Sequence, residues 1–481
     1  MAPTAAHRCR RHCAARLIVT LLALLCLPGA ASAAPGHRGA QLNPRWEGES
    51  TVEASRRELD LVRAAGANTV RIGLGWSALE QDGKGRFSDW YVRQVDTFVG
   101  QAARRGIGVV VALYGSPCWA STAPAEAKQG CGGAWWERDV QSYPPSDPRD
   151  YADAAAWVAR RWGTDLVALE IWNEPNISSP EFFRTDDRPG AYAALVRAAY
   201  APIKAAQAEL PVLAGALAFA DYRFLAALYD RGIGGHHDGV SIHPYDDPEL
   251  RARYGDDRYS FSAGVPGVRG VMVDRGEAGK PLWLTEFGWP TCARHVFRWC
   301  VSREEQAAKL RDAFLTIDGW PFVAGAIVYA LRDAGTSSED FEQNMGLVTH
   351  GFEEKPAYGA FRQAMAPRPP AAPSPPAESR SAAPPQGTPI IAPEPPRRAG
   401  VVRIRRARLL SPRRLRLSLA CRGDRACRTT VEVFVRRSRR SSMVARTRVR
   451  LEAGSRTRRL VQLARPARRA ELRFRLTATR R

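Results

Sequence analysis

A (β/α)₈ barrel followed by a small all-β domain is the architecture this sequence predicts, on three observations. Short β-branched runs alternate with amphipathic helical stretches, giving eight strand-then-helix units in about 330 residues, the pattern of a parallel sheet closed on itself. Residues 367–397 are too rich in proline to pack a core and read as an extended, semi-rigid linker. Beyond them arginine alternates with apolar residues at period two, as in half-buried antiparallel strands. A doubly wound open sheet is the structural rival, but it wants a Gly-rich phosphate turn after its first strand, and none is present.

Taken in chain order, the first 33 residues read as a secretory leader. Arg8, Arg10, Arg11 and Arg16 give a positive start, Leu17–Leu27 an apolar stretch too short to span a bilayer comfortably, and Ala31-Ser32-Ala33 a small-residue cleavage site. The barrel is expected over residues 40–366. A weak strand near Ala40–Pro44 precedes Thr69–Leu74, Ile107–Tyr114, Leu166–Trp172, Val212–Leu217, Gly239–His243, Leu282–Glu286 and Phe322–Ala330. Helical patterns lie between them at Trp90–Arg105, Tyr151–Trp162, Ala191–Glu209 and Arg303–Leu315. The tail, residues 398–481, reads as a β-sandwich-like module with one face in its core and one covered in arginine, as in Arg414-Leu415-Arg416-Leu417 and Leu472-Arg473-Phe474-Arg475-Leu476.

With 45% hydrophobic residues, the 481-residue chain is no wholly disordered protein, and it lacks the repeated apolar runs of a multi-span membrane protein. Its net charge of +22 is not spread evenly: residues 401–481 hold 27 Arg and four acids, so the first 400 residues are close to neutral. Outside the leader six cysteines form three close pairs, Cys118 and Cys131, Cys292 and Cys300, Cys421 and Cys427, as local disulfides of an exported protein would. None has C-x-x-C spacing and no histidine cluster accompanies them, so zinc does not fit.

The chemistry-bearing residues fall at the ends of two strands, where a parallel barrel keeps its active site. The fourth runs Ala168-Leu169-Glu170-Ile171-Trp172-Asn173-Glu174-Pro175 and the seventh Leu282-Trp283-Leu284-Thr285-Glu286-Phe287-Gly288-Trp289. A carboxylate beside such apolar strands is costly to desolvate unless it has partners or a task. Cleavage of a glycosidic bond needs such a pair, one carboxyl protonated and one ionised.

These two motifs resemble glycoside hydrolase clan A, the retaining (β/α)₈-barrel glycosidases, with the bacterial cellulases and the β-xylosidase/α-iduronidase relatives nearest in character. The resemblance implies a retaining glycosidase acting on a β-linked poly- or oligosaccharide, with Glu174 as acid/base, Glu286 as nucleophile and Asn173 on the sugar 2-hydroxyl. It further implies that Arg71 holds the nucleophile ionised, with a plain structural ion pair as the alternative. His243 would contact the sugar and Tyr245 the nucleophile, unless the histidine is an ordinary core residue. Trp76, Trp119, Trp289 and Tyr329 lie at strand ends where aromatic faces stack on sugars, Trp119 and Trp289 being the preferred pair. Tyr329 stands where the clan often has tryptophan. No metal or other cofactor is expected. The two barrel disulfides would brace the loops that wall the cleft. Asn176-Ile177-Ser178 matches a glycosylation acceptor and is read as chance.

The basic tail would attract a polyanion, an anionic cell-wall polymer or a membrane surface, in a secreted and monomeric protein. Nucleic acid does not fit an exported chain with few aromatics for base stacking. The competing readings are a carbohydrate- or envelope-binding protein that kept the barrel and lost turnover, a tail that is the main function, and arginine bias on an ordinary solvated module.

Overall fold

The computed structural model describes residues 36–44, 52–177, 182–293 and 299–366, and in the tail the strands between residues 401 and 478. The leader, the linker and the side chains of Cys421 and Cys427 lie outside the described residues. The chain divides into two compact units, Met1–Ser374 and Pro375–Arg481.

The first unit is a closed, all-parallel barrel in sequential order β1 to β8. Its strands are β1 His37–Gln41, β2 Thr69–Gly75, β3 Gly108–Tyr114, β4 Leu166–Ile171, β5 Val212–Ala218, β6 Gly239–His243, β7 Leu282–Phe287 and β8 Val323–Val328. The ring closes where β1 pairs with β8, Gly39 opposite Ile327. Eight helices alternate with them: α1 Val52–Ala64, α2 Asp89–Ala103, α3 Pro148–Trp162, α4 Arg188–Ala206, α5 Tyr222–Asp230, α6 Phe261–Asp274, α7 Arg303–Asp318 and α8 Pro356–Met365. Local chemistry sets their starts: Asp147 and Asp187 cap α3 and α4 with proline in the first turn, and Ser302 with Glu305 forms a capping box on α7.

The first strand lies three residues earlier than the pattern predicts, at His37–Gln41 rather than Ala40–Pro44. Its polar start hides it: His37 stacks on Trp283 (centroids 4.9 Å) and Arg38 pairs with Asp318, contacts that only the closed barrel supplies.

Side chains alternate in and out along each strand. Val110, Ala168, Leu213 and Trp283 form a buried layer inside the barrel. Gly325 leaves room for the Trp283 ring, since a Cβ there would sit 2.0 Å from it. Arg71 is in register with Val110, and Glu170 follows Ala168 by two, so both point into the barrel above that layer. The larger core lies between strands and helices.

The second unit holds two three-stranded antiparallel sheets, β13-β10-β9 and β12-β11-β14, from β9 Val401–Ser411, β10 Arg414–Arg422, β11 Cys427–Arg437, β12 Arg440–Leu451, β13 Arg456–Gln462 and β14 Leu472–Ala478. Leu415, Leu417 and Leu419 on β10 and Val431 and Val433 on β11 are buried at alternate positions.

Candidate active site

Glu174 leaves β4 on a turn in which Trp172 (φ 66°) and Glu174 (φ 49°) both take the left-handed conformation, rare for non-glycine residues and costing about 1–3 kcal/mol each. Neighbouring strand ends hold that turn: the Trp172 N–H donates to the Leu113 carbonyl and the Glu174 N–H to that of Ala216, both at 2.9 Å. The Asn176 amide is tied to the backbone of Ala218 in both directions, so it braces the β4 and β5 ends. Glu286 lies within β7 itself.

Arg71 organises the floor. Its guanidinium donates to Glu170 Oε2 (2.5 Å), Glu286 Oε1 (2.6 Å), Asn173 Oδ1 (2.8 Å) and Gln41 Oε1 (3.0 Å), and it is almost fully buried. The Tyr245 hydroxyl donates to the other oxygen of Glu286 at 2.8 Å. His243 Nδ1 lies 2.7 Å from Glu174 Oε1 and 3.5 Å from Glu286 Oε2. Ligand atoms of Glu174, His243 and Glu286 all fall within 4.8 Å of one another.

The two glutamates have different surroundings. Burial pushes the Glu174 carboxyl well above the usual range, and repulsion from Glu286 adds to it. Burial also raises Glu286, while the Arg71 cation and the Tyr245 hydrogen bond pull it back toward ionisation. His243 is held neutral by burial and by Arg71. Its Nε2 is buried with no partner among the described residues. A bare acceptor there is cheaper than an orphaned N–H, so the proton belongs on Nδ1, donating to Glu174 Oε1.

Of the expected site residues, Glu174, Glu286, Arg71, Asn173, His243 and Tyr245 form this one cluster. Tyr329 stands beside it, edge-on to Tyr245 with centroids 6.5 Å apart. The preferred tryptophans are placed otherwise. Trp119 is half-buried, donating to the Glu80 carbonyl at 2.7 Å and meeting the buried Trp76 edge-on. Trp289 is buried with Lys309 over its ring at 5.6 Å, facing α7. The same loop instead delivers Trp299, which stacks on Tyr245 (5.8 Å, 15°). Cys300, its neighbour, is bonded to Cys292, and Cys118 is bonded to Cys131.

Two site residues were missed by sequence reasoning. Glu170, fully buried, shares Arg71 with the proposed nucleophile, so that arginine is both a structural ion-pair partner and a neighbour of Glu286. Tyr114 ends β3 with 40% of its surface exposed; its ring lies over Gly73, where a Cβ would come within 3.0 Å of it. Burial raises its phenol pKa, with Arg71 and Glu286 close enough to act on it in opposite directions.

A closed parallel barrel with two buried carboxylates gathered at its C-terminal mouth has the layout of a barrel glycosidase. Residues 30–315 match the model of the cellulase family (glycosyl hydrolase family 5). The chain belongs to that family and is an O-glycosyl hydrolase. Among solved structures it resembles a family 39 glycoside hydrolase from Bacteroides cellulosilyticus WH2 (17% identity, 89% of this chain, 81% of that one, TM-score 0.53). It also resembles the family 39 enzyme of Xanthomonas axonopodis pv. citri (16%, 90%, 94%, 0.51) and a family 5 subfamily 18 enzyme of Streptomyces cattleya in complex with Manβ1-4GlcNAc (18%, 68%, 80%, 0.50). No curated protein matches it.

Proposed function

We propose that the protein is a secreted retaining glycosidase that cleaves a β-linked poly- or oligosaccharide by double displacement. The separation of the two carboxyls carries this reading. One oxygen of Glu174 lies within 4.8 Å of one oxygen of Glu286, a close approach that favours the roughly 5–5.5 Å spacing of retaining pairs over the roughly 6.5–9.5 Å that leaves room for a water.

In the first step Glu286 attacks the anomeric carbon, the bond to the departing oxygen breaks, and Glu174 gives that oxygen its proton. In the second, Glu174, now ionised, takes a proton from water whose oxygen attacks the same carbon and frees Glu286. Arg71 and Tyr245, one on each oxygen of Glu286, keep the attacking carboxylate ionised and aimed. The His243 N–H occupies Oε1 of Glu174, which leaves Oε2 as the oxygen that carries the transferable proton. After transfer that N–H stabilises the new carboxylate.

Export is supported by the leader pattern and by two disulfides. The arginine-rich tail would then hold the enzyme on an anionic wall polymer or membrane surface. Proton NMR of the first-formed sugar tests the mechanism: the substrate's own anomer supports double displacement, and the opposite anomer replaces it with single displacement.

A further inference from the structure

The displacement chemistry leaves a third carboxylate at the same mouth without a task. Glu342 opens the 3₁₀ turn Glu342–Asn344 in the loop after β8 and is exposed. The Tyr329 hydroxyl reaches its Oε2 at 3.5 Å, and Tyr329 packs edge-on against Tyr245, the partner of Glu286. No cation among the described residues pairs with it. The charged groups that act on it are acids: Asp340, which accepts its backbone N–H at 3.0 Å, and Glu286. It in turn repels Glu174. Arg71 is already shared between Glu170 and Glu286. Although part of the side chain is exposed, partial desolvation of its carboxyl end, with that repulsion, pushes Glu342 up to about 6, so it is still mostly ionised at neutral pH. Its one side-chain hydrogen bond among the described residues is the long one from the Tyr329 hydroxyl.

We propose that Glu342 is a substrate-selecting residue, whose carboxylate accepts hydrogen bonds from hydroxyl or ammonium groups of the bound glycosyl unit and so admits neutral or amino sugars and rejects uronic acids. The proposal deepens the glycosidase reading and rests on it. A uronate brought within about 5 Å of Glu342 meets repulsion that lowers its relative kcat/KM roughly ten- to hundredfold.

The test compares the full chain with Glu342→Gln and Glu342→Asp on β-glucan, xylan, mannan, chitosan and a polyuronate. The wild type is expected to act on a neutral or amino-sugar polymer in preference to the polyuronate. Glu342→Gln should melt at the wild-type temperature, raise KM on the cleaved polymer roughly tenfold or more, and lower kcat less. Its pH–rate profile should move to lower pH, because one negative charge fewer makes Glu174 and Glu286 easier to ionise. Glu342→Asp should restore the profile. A wild type that prefers the polyuronate, or a Gln variant with wild-type KM and pH profile, overturns the proposal. A wild type silent on every polymer takes down the glycosidase reading and this proposal with it.

Discussion

Arg71→Met separates the structural from the chemical task of the buried arginine. Glu170 is fully buried, its Oε1 has no partner among the described residues, and Arg71 holds its Oε2 at 2.5 Å. Removing the guanidinium therefore strands a charged carboxylate, which costs about 3–5 kcal/mol. Glu286 loses its 2.6 Å partner at the same time and becomes harder to ionise. Adding Glu170→Gln removes the stranded charge and should recover much of the stability, while activity stays lost because Glu286 still lacks its cation. Urea unfolding at pH 7, beside sugar-release rates, reads both effects. A single variant as stable as the wild type refutes the buried-pair reasoning. A double variant that regains activity reduces Arg71 to a neutraliser of Glu170.

Tyr245→Phe keeps the ring stacked on Trp299 and deletes the 2.8 Å bond that favours ionised Glu286. The acid limb of the pH–rate profile should move to higher pH, with kcat/KM at pH 5 down roughly tenfold, and an unmoved limb would speak against that bond. Lys355→Met removes a buried ammonium that joins Asp333 (2.8 Å) to Thr291 (2.9 Å), tying the loop after β8 to the loop after β7. The loss should be about 3 kcal/mol or more in denaturant unfolding, and less than about 1 kcal/mol would place that charge in water. Cys292→Ser with Cys300→Ser frees the segment that carries Trp299, so KM should rise more than kcat falls. A lowered melting temperature with an unchanged KM would make the bridge a brace of the fold alone.

The barrel was legible because strands buried on both faces read as unbroken apolar runs: β5 and β6 begin and β6 ends where the pattern puts them. β1 was displaced because His37 and Arg38 acquire apolar or ionic partners only across the closed sheet. The six nominated residues other than the tryptophans and Tyr329 follow the same logic: Glu174, Glu286, Arg71, Asn173, His243 and Tyr245 sit at strand ends or, like Arg71 and Glu286, on the strands themselves, where topology alone brings them together. Glu170 stayed hidden because a lone acid in an apolar strand shows its partner only in three dimensions. Trp289 and Trp299 share one loop, and their spacing does not say which ring turns toward α7 and which toward Tyr245. Glu342 lies in the acidic stretch Glu339-Asp340-Phe341-Glu342, which reads as an ordinary solvated loop.

In the proposed mechanism Glu286 attacks the sugar and Glu174 is its proton partner. Sugar release across a panel of β-linked polysaccharides and aryl glycosides, wild type beside Glu286→Gln, tests it most directly. The wild type should turn over at least one substrate, and the variant should lose that turnover by several orders of magnitude. Equal turnover in both would contradict it.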